Sequence, residues 1–121
     1  MYKIAIVEDE RPIANMYRMK FKRAGYNVRV AYDGQQGLTL LEEFIPDLLL
    51  LDLRMPELNG DKLLEHVRQS DWGGDMRVVV LTNISRDEAP PNLRLLNIDR
   101  YVVKAHTTPS QVLAIAESIL R

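Results

Sequence analysis

The chain has 121 residues, 46% of them hydrophobic and 27% charged, with a formal net charge of −1. That length fits one domain, residues 1–121, with a sizeable core, and the near-neutral balance supplies no basic field for nucleic acid. The absence of cysteine excludes disulfides, thiolate metal sites and cysteine nucleophiles, and the only histidines, His66 and His106, are too few and too far apart for a zinc cluster.

No signal peptide and no apolar run of about 18 residues appears, so a soluble cytoplasmic protein without membrane contact is expected. Short apolar runs alternate with amphipathic segments, which predicts βα units and a parallel sheet. Ile4-Ala5-Ile6-Val7 reads as the first strand and stops at Glu8, Asp9 and Glu10. Pro12 suits the first turn of a helix whose Ile13, Tyr17, Phe21 and Ala24 share one face, with Gly25 just past its end. Val28-Arg29-Val30 alternates as an edge strand does. Leu38, Leu41 and Ile45 give the inner face of a second helix closed by Pro46.

The segment Asp47 to Gly60 then runs from four leucines into Leu51-Asp52-Leu53-Arg54-Met55-Pro56. A strand apolar on both faces is buried in a parallel sheet, so Asp52 falls at the sheet edge where open α/β folds bind ligands. From this segment alone it could equally be an acidic turn residue. A third helix turns Leu63, Leu64 and Val67 inward, and Trp72 is placed over the surface of the loop that follows.

Val78-Val79-Val80-Leu81 is a further buried strand ending at Thr82. Ser85-Arg86-Asp87-Glu88 has the pattern of a capping box, but Pro90 and Pro91 fall in the interior of the helix it would start. That fourth helix is therefore expected to be short or displaced. Tyr101-Val102-Val103 is the fifth strand, ending at Lys104. The last helix is well marked: Thr108 as N-cap, Pro109 next, Gln111 completing a box, then Val112, Ile115, Ala116 and Ile119 inward.

Four apolar strands thus end in Glu8-Asp9, Asp52, Thr82 and Lys104, and a parallel sheet brings those ends to one edge. Singly, Thr82 could be a cap, Lys104 a solvated end and Asp9 an acid offsetting a helix dipole. Together, three carboxylates in one crevice repel unless a cation neutralises them. Mg²⁺ takes few carboxylates and often shares a phosphate oxygen. A lysine and a hydroxyl beside it suit phosphoryl oxygens. Residue pattern alone therefore reaches a Mg²⁺-dependent phosphoryl site centred on Asp52.

These motifs, in this order and spacing, resemble a response-regulator receiver domain of bacterial two-component signalling, of the CheY-like superfamily, over essentially the whole chain. The resemblance implies a flavodoxin-like (βα)5 fold, a doubly wound five-stranded parallel sheet in the order 2-1-3-4-5. It implies that Asp52 is the phosphoacceptor, taking the group from a sensor histidine kinase or a phosphotransfer protein. Asp9, Asp52 and the Arg54 backbone carbonyl would hold Mg²⁺, with Glu8 acting through water. Lys104 and Thr82 would bind the phosphoryl group, and Tyr101 would be the switch aromatic moving with Thr82. Arg54 and Ile84 match positions that flank the approach of hydrolytic water. Catalysis would be limited to self-phosphotransfer and self-dephosphorylation, and output would pass to a protein target through the fourth helix, fifth strand and last helix. The chain is read as a stand-alone receiver, or the receiver part of a longer regulator, and as a monomer or a phosphorylation-dependent dimer.

Several residues depart from the family pattern. Ala105 stands where proline in a cis bond is usual, so the Lys104–Ala105 bond is expected to be trans or strained, with a shifted Lys104. Asn83 replaces a commoner small residue, and Arg100 stands where dimerising regulators carry an acid. His66 and His106 are expected at the surface. One rival is a Mg²⁺-dependent phosphohydrolase with an aspartyl nucleophile. Such an enzyme would place a second acid where Arg54 stands, and it would need a substrate cap. The other rival is a receiver-like binding module that is never phosphorylated.

Overall fold

Leu48–Leu51 form a strand, β3, with all four leucines buried, each worth roughly 1.5–3 kcal/mol on removal from water. In the computed structural model, which describes residues 1–121, β3 is flanked by β1 (Lys3–Val7) and β4 (Arg77–Thr82). β2 (Asn27–Ala31) and β5 (Arg100–Val103) complete a fully parallel sheet in the order β2-β1-β3-β4-β5. The doubly wound, flavodoxin-like order and the edge position of β2 are as the sequence predicts.

Alternation along the strands splits the core between the two faces of the sheet. Ala5, Val7, Leu49, Leu51, Val78 and Val80 pack with Leu41 and Phe44 of α2 (Gly34–Phe44) and Leu63, Leu64 and Val67 of α3 (Gly60–Gln69). Ile4, Ile6, Leu48, Leu50, Val79 and Leu81 pack with Tyr17 and Phe21 of α1 (Arg11–Arg23) and Val112, Ala116 and Leu120 of α4 (Pro109–Leu120). α4 carries the expected capping box, Thr108 accepting from the Gln111 N–H and Gln111 from the Thr108 N–H. No helix is long and apolar enough to cross a membrane.

Several local expectations are corrected. Ile45 does not face inward: it ends α2 in the left-handed region at φ 45° and is exposed, while Phe44 fills the core. Pro46 explains this, since a right-handed helical residue before proline clashes with the ring. Ala24 likewise lies past the end of α1, exposed beside Gly25 at φ 99°. Trp72, expected over the surface of its loop, is partly exposed there and packs against the core.

The fourth helix does not form as an α-helix. Two short 3₁₀ turns, Arg86–Glu88 and Pro91–Leu95, replace it. Ser85 makes no cap to the backbone; its hydroxyl bonds the Glu88 carboxylate at 3.0 Å. Pro91 opens the second turn, where its missing N–H leaves no unpaired donor. Leu93 and Leu96 anchor this stretch in the core, and Asn92 donates to Asp61 and Glu65 of α3 at 3.1 and 2.7 Å. Arg68 of α3 completes the anchorage, donating to the carbonyls of Leu96, Asn97, Gly73, Gly74 and Met76 at 2.7–3.1 Å.

Candidate functional site

The sheet's hydrogen bonding continues one residue past the strands and fixes the acids at its carboxyl edge. Glu8 N–H donates to Ala31 O and Asp52 N–H to Val7 O, both at 3.0 Å. Asp52 therefore sits between β1 and β3, where the strand order reverses, the usual ligand crevice of such sheets. Gly60 supports it from below, because a Cβ there would collide with the Asp52 carbonyl. Only glycine lets the start of α3 approach so closely. The Gly60 N–H also donates to Leu53 O at 2.9 Å, closing the loop that carries Arg54 and Pro56.

All the predicted strand-end residues come together. Carboxylate oxygens of Glu8, Asp9 and Asp52 lie within 4.8 Å of one another. A cavity of about 270 Å³ is lined by Asp9, Glu10, Asp52, Arg54, Thr82, Asn83, Ile84 and Lys104. Glu8, Asp52 and Thr82 are the buried polar side chains of the protein. One Asp52 oxygen accepts from the Leu53 N–H at 2.7 Å, and the other lies 3.4 Å from the Lys104 ammonium. Lys104 also bonds Glu8 directly, a contact the sequence reading missed.

Burial pushes the Glu8 carboxyl up to about 7, aided by the Asp52 charge and opposed by Lys104 and the Glu10 N–H. Burial alone would lower the Lys104 ammonium, but its hydrogen bond to Glu8 and the Asp52 charge carry it above the ordinary lysine value. Desolvation thus disfavours the charged form of Glu8, while the hydrogen bond to Glu8 and the Asp52 charge favour the protonated form of Lys104. The lysine partly neutralises the cluster.

Thr82 is buried at the end of β4, its hydroxyl accepting weakly from the Ile84 N–H at 3.4 Å. Tyr101 is half-buried and donates its hydroxyl to Ile84 O at 2.7 Å; burial raises its pKa. The Lys104–Ala105 bond is trans, one of the two expected outcomes, and the Lys104 ammonium still reaches the acids. The Ala105 N–H donates to the Asn83 side chain at 3.0 Å, and the Thr107 hydroxyl donates to Val103 O at 3.0 Å. His66 and His106 are exposed and do not line the cavity.

A doubly wound parallel sheet with a lysine-bearing acidic crevice at its switch point defines the class as a flavodoxin-like α/β protein. A family model for the response regulator receiver domain matches residues 4–117, and the chain belongs to that family. Among solved structures, the chain is similar to a CheY-like receiver domain protein of Methanospirillum hungatei JF-1, at 25% identity and TM-score 0.88, covering 99% of this chain and 94% of that one. It is similar to the N-terminal domain of a response regulator/sensory box/GGDEF 3-domain protein of Carboxydothermus hydrogenoformans, at 28% identity and TM-score 0.86, covering 98% and 94%. The fold is also that of the chemotaxis protein CheY4 of Vibrio cholerae, at 24% identity and TM-score 0.90, covering 99% of both chains.

Proposed function

We propose that residues 1–121 act as a two-component receiver in which Asp52 accepts a phosphoryl group from a sensor histidine kinase or phosphotransfer protein, with Mg²⁺ required. The observation that carries this reading is the shared cavity of Asp52, Asp9, Thr82 and Lys104 at the switch point, in a chain of the receiver family. The clustered oxygens of Glu8, Asp9 and Asp52 fit a hard divalent cation. Asp9, Asp52 and the Arg54 carbonyl are assigned as its ligands, with Glu8 acting through water. When bound, Mg²⁺ supplies positive charge against the transferring phosphoryl oxygens.

The protein's own residues do the positioning. The Leu53 N–H fixes one Asp52 oxygen and leaves the other facing Lys104. That free oxygen attacks phosphorus, the P–N bond of the donor phosphohistidine breaks, and the electron pair stays on the imidazole. Lys104 turns from Glu8 to the phosphoryl oxygens, and the Thr82 hydroxyl donates a hydrogen bond to them. Because Tyr101 is bonded to the Ile84 carbonyl, two residues beyond Thr82, movement of Thr82 is transmitted to Tyr101 and the β5 face. The output is a change in affinity for a protein target, or in self-association, and involves no direct DNA contact. Chemistry is confined to self-phosphotransfer and self-dephosphorylation in the cytoplasm.

The test is incubation with Mg²⁺ and acetyl phosphate, or with beryllofluoride, beside Asp52→Asn. A stable adduct that depends on Asp52 supports the receiver. Steady turnover of general phosphomonoesters supports a hydrolase, and no adduct supports a silent module.

A further inference from the structure

Thr82 ends β4 and Lys104 directly follows the adjacent strand β5, and the ladder between the two strands stops at the pair Thr82–Val103. Beyond that pair the backbone bonding between β4 and β5 ends, and both chains enter the loops that wall the cavity. Asn83 extends the connection by one step with its side chain, accepting from the Ala105 N–H at 3.0 Å. Ala105 lies in the 3₁₀ turn Lys104–His106, so this bond joins the residue after Thr82 to the residue after Lys104. Asn83 also lines the cavity itself. Of the contacts that hold the 83–85 loop, the Thr82–Ile84 bond is long at 3.4 Å and the Tyr101 bond grips Ile84. The Asn83–Ala105 bond alone ties this loop to the turn that carries Lys104.

We infer that Asn83 is a positioning residue for the phosphoryl reaction, its side-chain oxygen tethering the Ala105 N–H so that Thr82 and Lys104 are held as one unit across the site. The inference rests on the receiver reading of Asp52. Two donors held in a fixed relation stabilise the transferring group without being ordered at the moment of reaction. Alanine at 105 makes this tether possible, because proline there would offer no N–H. The Mg²⁺ ligands assigned to Asp9, Asp52 and Arg54 lie on other loops, so the tether acts on the phosphoryl group and not on the cation.

Three readouts on the full chain test this. In Asn83→Ala, hydrogen exchange at the Ala105 amide should speed up. The maximal rate of Asp52 phosphorylation by acetyl phosphate should fall roughly tenfold, about the net worth of the one hydrogen bond that holds the two donors in place. Mg²⁺ affinity, followed by titration, should stay unchanged, which separates loss of the tether from loss of the fold. Asn83→Asp keeps an acceptor oxygen and should restore protection of the Ala105 amide. An Asn83→Ala protein that phosphorylates at the wild-type maximal rate, or keeps Ala105 protected, overturns the tether while leaving the receiver reading intact. Failure of the wild type to form any Asp52 adduct overturns the receiver reading and the tether with it.

Discussion

At the scale of single residues, the site is a set of side chains whose backbones are fixed before any ligand arrives. Asp52, Glu8 and Thr82 are held at the ends of a sheet whose hydrogen bonds continue to them, so little ordering remains for the reaction. Arg54 and Ile84 both line the cavity, Arg54 exposed, and on the proposed receiver reading they flank the approach of hydrolytic water to Asp52. Arg54→Asn should therefore change the phosphoryl half-life, shortening it by opening that approach; measuring decay of the Asp52 adduct checks this, and an unchanged half-life removes Arg54 from the role. Gly60 answers to a harder constraint. Gly60→Ala drives a methyl into the Asp52 carbonyl and should destabilise the protein by roughly 1–3 kcal/mol, read as a lower urea midpoint at unchanged slope. The strand-end acids, Thr82 and Lys104 were legible in the sequence because a parallel sheet must gather its carboxyl ends. The bonds Lys104–Glu8 and Asn83–Ala105 were not, since spacing along the chain does not say which partner a long or forked side chain selects.

At the scale of elements, the strands and four α-helices follow from hydrophobic period and caps, and the sequence reading located each of them. It erred where a helix end decides a side chain's direction, as at Ile45 and Ala24. The proline pair was correctly seen to disturb the fourth helix. What could not be read was how the replacement is held. Arg68 gives no sign in the pattern of α3, yet its guanidinium meets five backbone carbonyls from two loop segments. Arg68→Ala should cost roughly 2–3 kcal/mol by leaving partly buried carbonyls unpaired. Arg68→Lys should recover little of it, since an ammonium cannot reproduce the fork. A urea titration of both variants checks this, and wild-type stability in Arg68→Ala would show that the 3₁₀ stretch holds itself.

At the scale of the whole molecule, the sheet divides the labour. Its body supplies two hydrophobic cores, and its carboxyl edge concentrates acidic charge that Lys104 only partly offsets. Mg²⁺ should therefore stabilise the fold, by about 2.7 kcal/mol at a hundredfold excess over its dissociation constant, and EDTA should reverse the gain. Thermal melts with Ca²⁺-free Mg²⁺ buffers check this, with Asp9→Asn expected to abolish most of the shift. The same edge is linked to β5 through Thr82, Ile84 and Tyr101, the route by which the proposed phosphorylation would reach the β5 face. The most direct test of the central claim is intact and peptide-level mass spectrometry after incubation with acetyl phosphate and Mg²⁺. The account predicts one phosphoryl group per chain, located on Asp52 and absent from Asp52→Asn and from EDTA-treated protein. Label that persists in Asp52→Asn, or a wild type that takes up none, would contradict it.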